Sequence, residues 1–189
     1  SFCCTKLIKA SLIKENGIEF PPIMHSEDFF FNMSLLPYVN KTATVTKAFY
    51  HYIKPASVTL TSSDYIPGYY ELSNKRYEAS KAYCVSQNSF EGESRLLIAN
   101  THIKHLSMCL IYNCSQKSGM NHKKRISFIK EMLKNPNTAE ALKYSSGVSR
   151  SSKIMNTFFK TQSPFILAFF ARTMWILRQK FSFLFDKLK

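Results

Sequence analysis

The sequence has few residues that break regular structure and few acids. Its 189 residues include only 5 Gly and 7 Pro, none of them in a repeating pattern, which excludes collagen-like and low-complexity chains. A hydrophobic content of 45% excludes an intrinsically disordered protein. The 5 Cys are an odd number at uneven spacing, which does not indicate a secreted disulfide framework. No run of about 18 uncharged apolar residues occurs, so a conventional membrane span is not expected.

The start of the chain lacks the features of a complete N-terminus. The first residue is Ser1, with no initiator Met and no signal-peptide pattern after it. The length suits one domain, or one domain with an appendage. We therefore expect the sequence to be a fragment of a longer protein.

Positive charge is concentrated towards the C-terminal end. The 26 Lys and Arg exceed the 12 Asp and Glu, which gives a net charge of +14. Residues 1–60 carry 6 basic groups and 4 acids, whereas residues 117–189 carry 15 basic groups and 3 acids. This asymmetry predicts an acidic partner surface, which can be nucleic acid or anionic lipid.

The two ends of the chain also differ in their predicted secondary structure. Residues 41–52 alternate and are rich in Thr, Val, Phe and Tyr, which predicts one or two short strands. Apolar periodicity and capping residues predict helices elsewhere. These helices span 6–14, 27–36, 64–87, 93–114, 120–134, 137–144 and 150–187, the last broken near Pro164. The predicted fold is a small α/β piece followed by a mainly α-helical region, so that helix dominates overall.

The strongest local signal is a pair of neighbouring carboxylates at a predicted helix start. Glu27 and Asp28 follow Ser26, a plausible N-cap, and precede three consecutive Phe residues. A carboxylate against Phe walls can have a raised pKa and act as a general base. Acids at helix starts are also common because the helix macrodipole favours them. The pair alone leaves both interpretations open.

Other motifs flank this pair in a fixed order. A Lys-Leu stretch runs from Cys4 to Lys14, and it leads into Glu15-Asn16-Gly17-Ile18-Glu19-Phe20. The Glu-Asp-Phe-Phe-Phe sequence comes next, followed by Tyr50-His51-Tyr52 and Ser57-Val58-Thr59. Over about residues 3–60, this order resembles the C-terminal half of the catalytic domain of bacterial family 2 glycosyltransferases of the GT-A type.

The resemblance implies an enzyme of bacterial polysaccharide assembly. Such an enzyme transfers a sugar, with inversion, from a nucleotide-sugar donor to a hydroxyl of a glycan or glycolipid acceptor. The resemblance implies that Asp28 deprotonates the acceptor hydroxyl and that Glu27 orients the helix end or binds the acceptor. Further candidates for the acceptor and donor cleft are His51, Tyr50 and Lys6.

The sequence departs from the family in its donor-binding motif. Family members hold the donor diphosphate through Mg²⁺ or Mn²⁺ bound by Asp-x-Asp, whereas the only Asp residues here are Asp28, Asp64 and Asp186. The glycines are isolated and form no phosphate-binding loop. We therefore expect a divalent metal in the full-length enzyme, none bound by this chain, and no catalytic competence of this chain by itself.

Two His and two Cys on one predicted helix are a weaker candidate for a metal site. They are His102, His105, Cys109 and Cys114. Ligands spread along one straight helix cannot all converge on a single ion, because each residue adds about 1.5 Å of rise. We predict no metal site in this chain.

The last 40 residues combine aromatic side chains with cations. Trp175, Arg172, Arg178 and Lys180 are the candidates for contact with an anionic membrane surface. Together with the resemblance, they imply a cytoplasmic protein bound peripherally to the inner face of the plasma membrane. The sequence has no zinc-finger, basic-zipper or RNA-binding sheet pattern, so no nucleic acid is expected as partner.

These observations predict three regions and leave one alternative function. Residues 1–62 would be the C-terminal part of the catalytic domain, 63–149 a helical extension and 150–189 a basic aromatic tail. In the alternative, the chain is a basic helical module that binds nucleic acid or an anionic membrane without catalysis. A purely structural adaptor, in which Glu27 and Asp28 only cap a helix, also fits the pattern.

Overall fold

The computed structural model describes residues 3–51, 53, 63–147 and 149–180, without the side chain of Ser151. These residues form eight α-helices and three short 3-10 turns, with no strand among them. The helices are α1 (Ala10–Glu15), α2 (Glu27–Leu35), α3 (Tyr69–Ser86), α4 (Gly92–Tyr112), α5 (His122–Lys134), α6 (Pro136–Tyr144), α7 (Arg150–Lys160) and α8 (Pro164–Lys180). The chain divides into two compact units, Ser1–Leu60 and Thr61–Lys189.

The prediction of an α/β piece is wrong for the residues described. Positions 41–51 and 53, where strands were expected, have no regular secondary structure. A strand persists only when its backbone N–H and C=O groups pair with a neighbouring strand, and the described residues contain no other strand. The alternating apolar side chains also bury no face, because Val45, Phe49 and Ile53 are exposed. Tyr52 and the Ser57-Val58-Thr59 motif lie outside the described residues.

The first unit is built around α1 and α2. Its buried apolar residues are Ile18, Phe31 and Leu35, and side chains from α1 and the preceding segment pack against them. The helix α1 ends at Glu15 because Asn16 is its C-cap and Gly17 follows with φ +57°, a conformation that favours glycine. The predicted stop at Asn16-Gly17 is therefore confirmed, although the helix begins four residues later than expected.

The second unit is a helical bundle centred on α4. The helices α3, α6, α7 and α8 all pack against α4, and α5 packs against α6 and α8. Along α4 the residues Ala99, Ile103, Leu106 and Leu110 recur at three- and four-residue spacing and are almost fully buried. This spacing places them on one helical face. Phe159 and Leu167 bring α7 and α8 into the same core.

Local signals set the ends of the later helices. The side chain of Asn135 caps α6 by accepting a hydrogen bond from Asn137 N, and Ser149 forms a capping box at the start of α7. The break predicted near Pro164 is confirmed, because α7 ends at Lys160 and α8 begins at Pro164. Proline suits the first position of a helix, where a backbone N–H has no helical partner. The prediction beyond residue 180 lies outside the described residues.

Candidate functional site

Glu27 and Asp28 occupy the first turn of α2 and are both half-buried. The preceding residue, Ser26, holds the N-cap position with φ +66° and ψ +17°, and its side chain makes no capping hydrogen bond. A left-handed backbone costs a residue other than glycine about 1–2 kcal/mol. Such strain clusters at functional sites, where it fixes the direction of the chain. The carboxylate pair therefore follows a strained entry into the helix rather than an ordinary serine cap.

Asp28 is held from behind by two side chains. The amide Nδ2 of Asn32 donates to the carbonyl oxygen of Asp28 and also lies 3.3 Å from Cys3 Sγ. The thiol of Cys3 donates to the same carbonyl oxygen at 3.8 Å. Burial, together with the neighbouring Asp28, raises the pKa of the Cys3 thiol above its usual value. These contacts tie the first turn of α2 to a segment 25 residues earlier.

Sequence reasoning missed both supporting residues. Asn32 lies four residues after Asp28, so its place on the same helical face was available as a signal from the predicted helix. Cys3 carried no such signal, because its approach to Asp28 depends on how the chain folds between them.

The three Phe residues after Asp28 divide between core and surface. Phe31 is 4% exposed and stacks on Phe20 with ring centroids 4.1 Å apart. Phe29 and Phe30 are half-buried and meet edge to face at 5.1 Å. Phe31 therefore anchors the helix, while Phe29 and Phe30 form a partly exposed pair of rings in the same helix as the carboxylates.

The other predicted cleft residues lie at different places in the first unit. Lys6 is exposed, and its backbone N–H donates to the carbonyl of Cys3 at 3.0 Å, so it belongs to the turn that contacts Asp28. Tyr50 and His51 are exposed, in the segment without regular structure, and they are not part of the packed cluster around Phe31. The described geometry places Lys6 in the turn that begins at Cys3 and does not bring the other two residues into that cluster.

The four candidates for membrane contact fall on both faces of α8. Trp175 is half-buried and packs against the core, with Arg172 4.7 Å over its ring. Arg178 lies 5.8 Å from the ring centroid of Tyr112, on the inner side of the helix. Arg172 and Lys180 are exposed. Two of the four candidates therefore face solvent, and the tryptophan does not.

Three of the four His and Cys candidates lie on α4, where His102 and Cys109 are buried and His105 is half-buried. Cys114 is buried but follows the end of α4 at Tyr112, so the four residues do not share one helix as predicted. The His102 side chain is 2% exposed, its ring lies 4.5 Å from that of Tyr77, and neither ring nitrogen makes a hydrogen bond of standard geometry. Burial lowers the pKa of His102 to about 4 and that of His105 to about 3, and it raises the pKa of Cys109 to about 12. Within the described ranges, no three His, Cys, Asp or Glu side chains form a group that could hold a metal ion.

The chain was compared with protein families, with curated proteins and with solved structures. No protein-family model, no curated protein and no solved structure matches the chain. In the part of the chain that the structure describes, none of the helices combines the length and apolar character needed to cross a bilayer. The side chains around Asp28 and the order of the motifs are therefore the features that indicate a function.

Proposed function

We propose that this chain forms the acceptor side of a sugar transferase in which Asp28 is the general base. The observation that carries the proposal is the setting of Asp28. It lies half-buried in the first turn of α2, after the strained Ser26, and Asn32 and Cys3 fix its backbone. A catalytic carboxylate has to be held in place in this way, because a general base acts only within hydrogen-bond reach of the proton it removes.

The chemistry of an inverting transfer needs one such base. As the acceptor oxygen forms its bond to the anomeric carbon, the base takes the hydroxyl proton, and the nucleoside diphosphate leaves with the electron pair of the broken C–O bond. In this proposal Asp28 takes the proton. Glu27 is rotated by about 100° around the helix axis from its neighbour, so it faces a different direction and is assigned to the acceptor hydroxyls.

The motif order supports the same assignment. Two of the segments that carry the resemblance are in contact, since Phe20 of the Glu-Asn-Gly-Ile-Glu-Phe motif stacks on Phe31 of the Glu-Asp-Phe-Phe-Phe motif. Leu12 and Ile13 of the Lys-Leu stretch pack on the cluster that contains Phe31. Three of the motifs therefore form one packed structure around α2.

The residues described here do not fit a donor-site metal. The sequence has no Asp-x-Asp, and the described residues contain no group of three metal-binding side chains. No catalytic step is therefore assigned to a metal on this chain. No residue of this sequence is assigned to the donor diphosphate or to a Mg²⁺ or Mn²⁺ bound with it.

The test is turnover by the complete polypeptide that carries this sequence. Release of nucleoside diphosphate is measured over a panel of nucleotide-sugars, with a bacterial glycolipid extract as acceptor. Asp28→Asn keeps the size of the side chain and removes the base, so the rate should fall by about two to four orders of magnitude. The matched control is Glu19→Gln, which removes an exposed carboxylate from the same unit and should leave the rate unchanged.

Two further measurements separate catalysis from folding. The thermal unfolding midpoint of Asp28→Asn should lie close to that of the wild type, because Asn32 and Cys3 keep their contacts with the backbone carbonyl of residue 28 and an acid in the first turn of a helix is worth only about 1 kcal/mol or less. Glu27→Gln should lose less activity than Asp28→Asn. Full activity of Asp28→Asn, or a greater loss in Glu27→Gln, would contradict the assignment.

A further inference from the structure

One face of α8 is apolar and exposed. Its large exposed side chains are Phe165 (65% exposed), Ile166 (41%), Phe169 (72%), Ile176 (37%) and Leu177 (36%). At about 100° per residue, these positions fall within one arc of about 140° on the helix. Arg172, Thr173 and Lys180 lie in the same arc and are also exposed. We call these eight residues the α8 outer face.

The opposite side of α8 already has its partner. Leu167, Phe170 and Ala171 are nearly fully buried, and Phe158 of α7 stacks on Phe170 with ring centroids 4.5 Å apart. The outer face is therefore not needed for the core of the second unit. A contiguous apolar surface of this kind commonly marks a contact with another molecule.

The positive charge around α8 limits which kinds of molecule could contact the outer face. The segment 150–180 contains six Lys and Arg residues and no Asp or Glu. Two of the cations, Arg172 and Lys180, belong to the outer face itself. A second copy of the chain would bring the same positive charge against this segment. Nucleic acid carries the required negative charge, but it offers no apolar layer for the aliphatic Ile166, Ile176 and Leu177.

We propose that the α8 outer face docks in the plane of an anionic phospholipid bilayer. A bilayer combines an apolar interior with a negative surface, which matches the two properties of this face. Phe165 and Phe169 enter the boundary between headgroups and acyl chains. Lys180 extends its aliphatic stem along this boundary and places its charge at the headgroups. Arg172, whose guanidinium lies 4.7 Å over the ring of Trp175, adds positive charge on the same face. The core side of α8 stays packed, so docking requires no unfolding, and it does not depend on the proposed transferase activity.

The first experiment removes the aromatic contact. The chain is floated with vesicles of phosphatidylcholine alone and with vesicles that also contain phosphatidylglycerol. Wild-type protein should float with the anionic vesicles, and Phe165→Gln/Phe169→Gln should bind them at least about tenfold more weakly, because burial of two Phe side chains is lost. The matched control is Val85→Gln/Leu97→Gln, which changes two apolar residues that are also more than half exposed, Val85 (53%) on α3 and Leu97 (67%) on α4. This control should bind as the wild type does.

The second experiment removes charge. Arg172→Gln/Lys180→Gln should weaken binding to anionic vesicles and reduce the salt dependence of that binding. The control Lys75→Gln/Lys104→Gln removes exposed lysines from α3 and α4, and it should change the binding and its salt dependence less. Unchanged thermal unfolding midpoints establish that the variants are folded. Deletion of residues 161–189 is not a suitable test, because it would remove Leu167 and Phe170 from the core.

The outcomes that overturn the proposal are distinct. Equal binding to neutral and anionic vesicles, absence of binding, or full binding by Phe165→Gln/Phe169→Gln would each overturn it. Binding of single-stranded oligonucleotides in preference to vesicles, lost in the Phe variant, would assign the face to nucleic acid instead. A dimer in sedimentation that the same variant dissociates would assign it to a second copy of the chain.

Discussion

His102 is buried between α3 and α4, and its protonation provides a test of how these helices pack. The ring is 2% exposed, lies against Tyr77 and is not hydrogen-bonded with standard geometry at either nitrogen. Burial lowers its pKa from 6.5 to about 4. The pKa of His105, which lies one turn further along α4, is lowered to about 3 by burial and by the nearby Arg76. The folded state therefore holds both imidazoles neutral at pH values where the unfolded chain protonates them.

The sign and size of the effect follow from proton linkage. Between pH 6.5 and the folded pKa, the unfolded state binds a proton that the folded state does not, so stability is lost as the pH falls. In that range each such histidine lowers the free energy of unfolding by about 1.4 kcal/mol for every unit by which the pH falls. For His102, the loss of stability summed from pH 6.5 down to its folded pKa of about 4 is about 3 kcal/mol. The interaction of Asp64 with Lys117 acts in the same direction only at lower pH, because it lowers the pKa of an Asp whose usual value is 3.8.

The assay is urea unfolding at a series of pH values between about 6.5 and 5, with His102→Leu as the perturbation. Leucine is apolar and removes no hydrogen bond of standard geometry, so stability near pH 7 should be little changed. Below about pH 6 the variant should lose stability about 1.4 kcal/mol per pH unit less steeply than the wild type. His122→Gln, which changes an exposed histidine at the start of α5, should keep the wild-type slope. An unchanged slope in His102→Leu would refute the reasoning.

Two pairs of substitutions test the packing elsewhere in the second unit. In Gly147→Ala the new Cβ would lie 2.7 Å from Lys153 N at φ +70°, whereas in Gly119→Ala it meets open space at φ +63°. Urea unfolding should therefore show a loss of about 1 kcal/mol for Gly119→Ala and more than about 2 kcal/mol for Gly147→Ala, and equal losses would contradict the close contact. Phe159→Ala should cost about 3–5 kcal/mol because the ring is fully buried. Phe165→Ala should cost less than about 0.5 kcal/mol, and a larger loss would show that the α8 outer face is not free of the core.

The helices of the second unit were predictable because their signals are local. The periodic apolar residues of α4, the Pro at the first position of α8 and the Asn cap of α6 all act within a few residues. The predicted strands failed for the opposite reason. Alternation between residues 41 and 52 measures suitability for a sheet, but a sheet also needs a partner strand, and that partner is a property of the whole fold.

The candidate site shows the same division between local and long-range information. The helix start at Glu27 and Asp28 could be predicted from the sequence, because acids and a preceding Ser are typical of that position. The left-handed backbone of Ser26 and the contact of Cys3 with Asp28 could not. The first departs from the usual cap geometry, and the second joins residues that are far apart in the sequence.

The aromatic residues of the C-terminal region have two separate physical explanations. Composition alone could not assign them, because both sides of α8 are apolar and only packing decides which side is buried. Phe170 is explained by the core, in which it is 5% exposed. The core does not explain Phe165 and Phe169. A polar residue at either exposed position would cost the fold less than about 0.5 kcal/mol and would lower the tendency to aggregate. Stability therefore does not account for this face, whereas the bilayer contact that we propose would account for it.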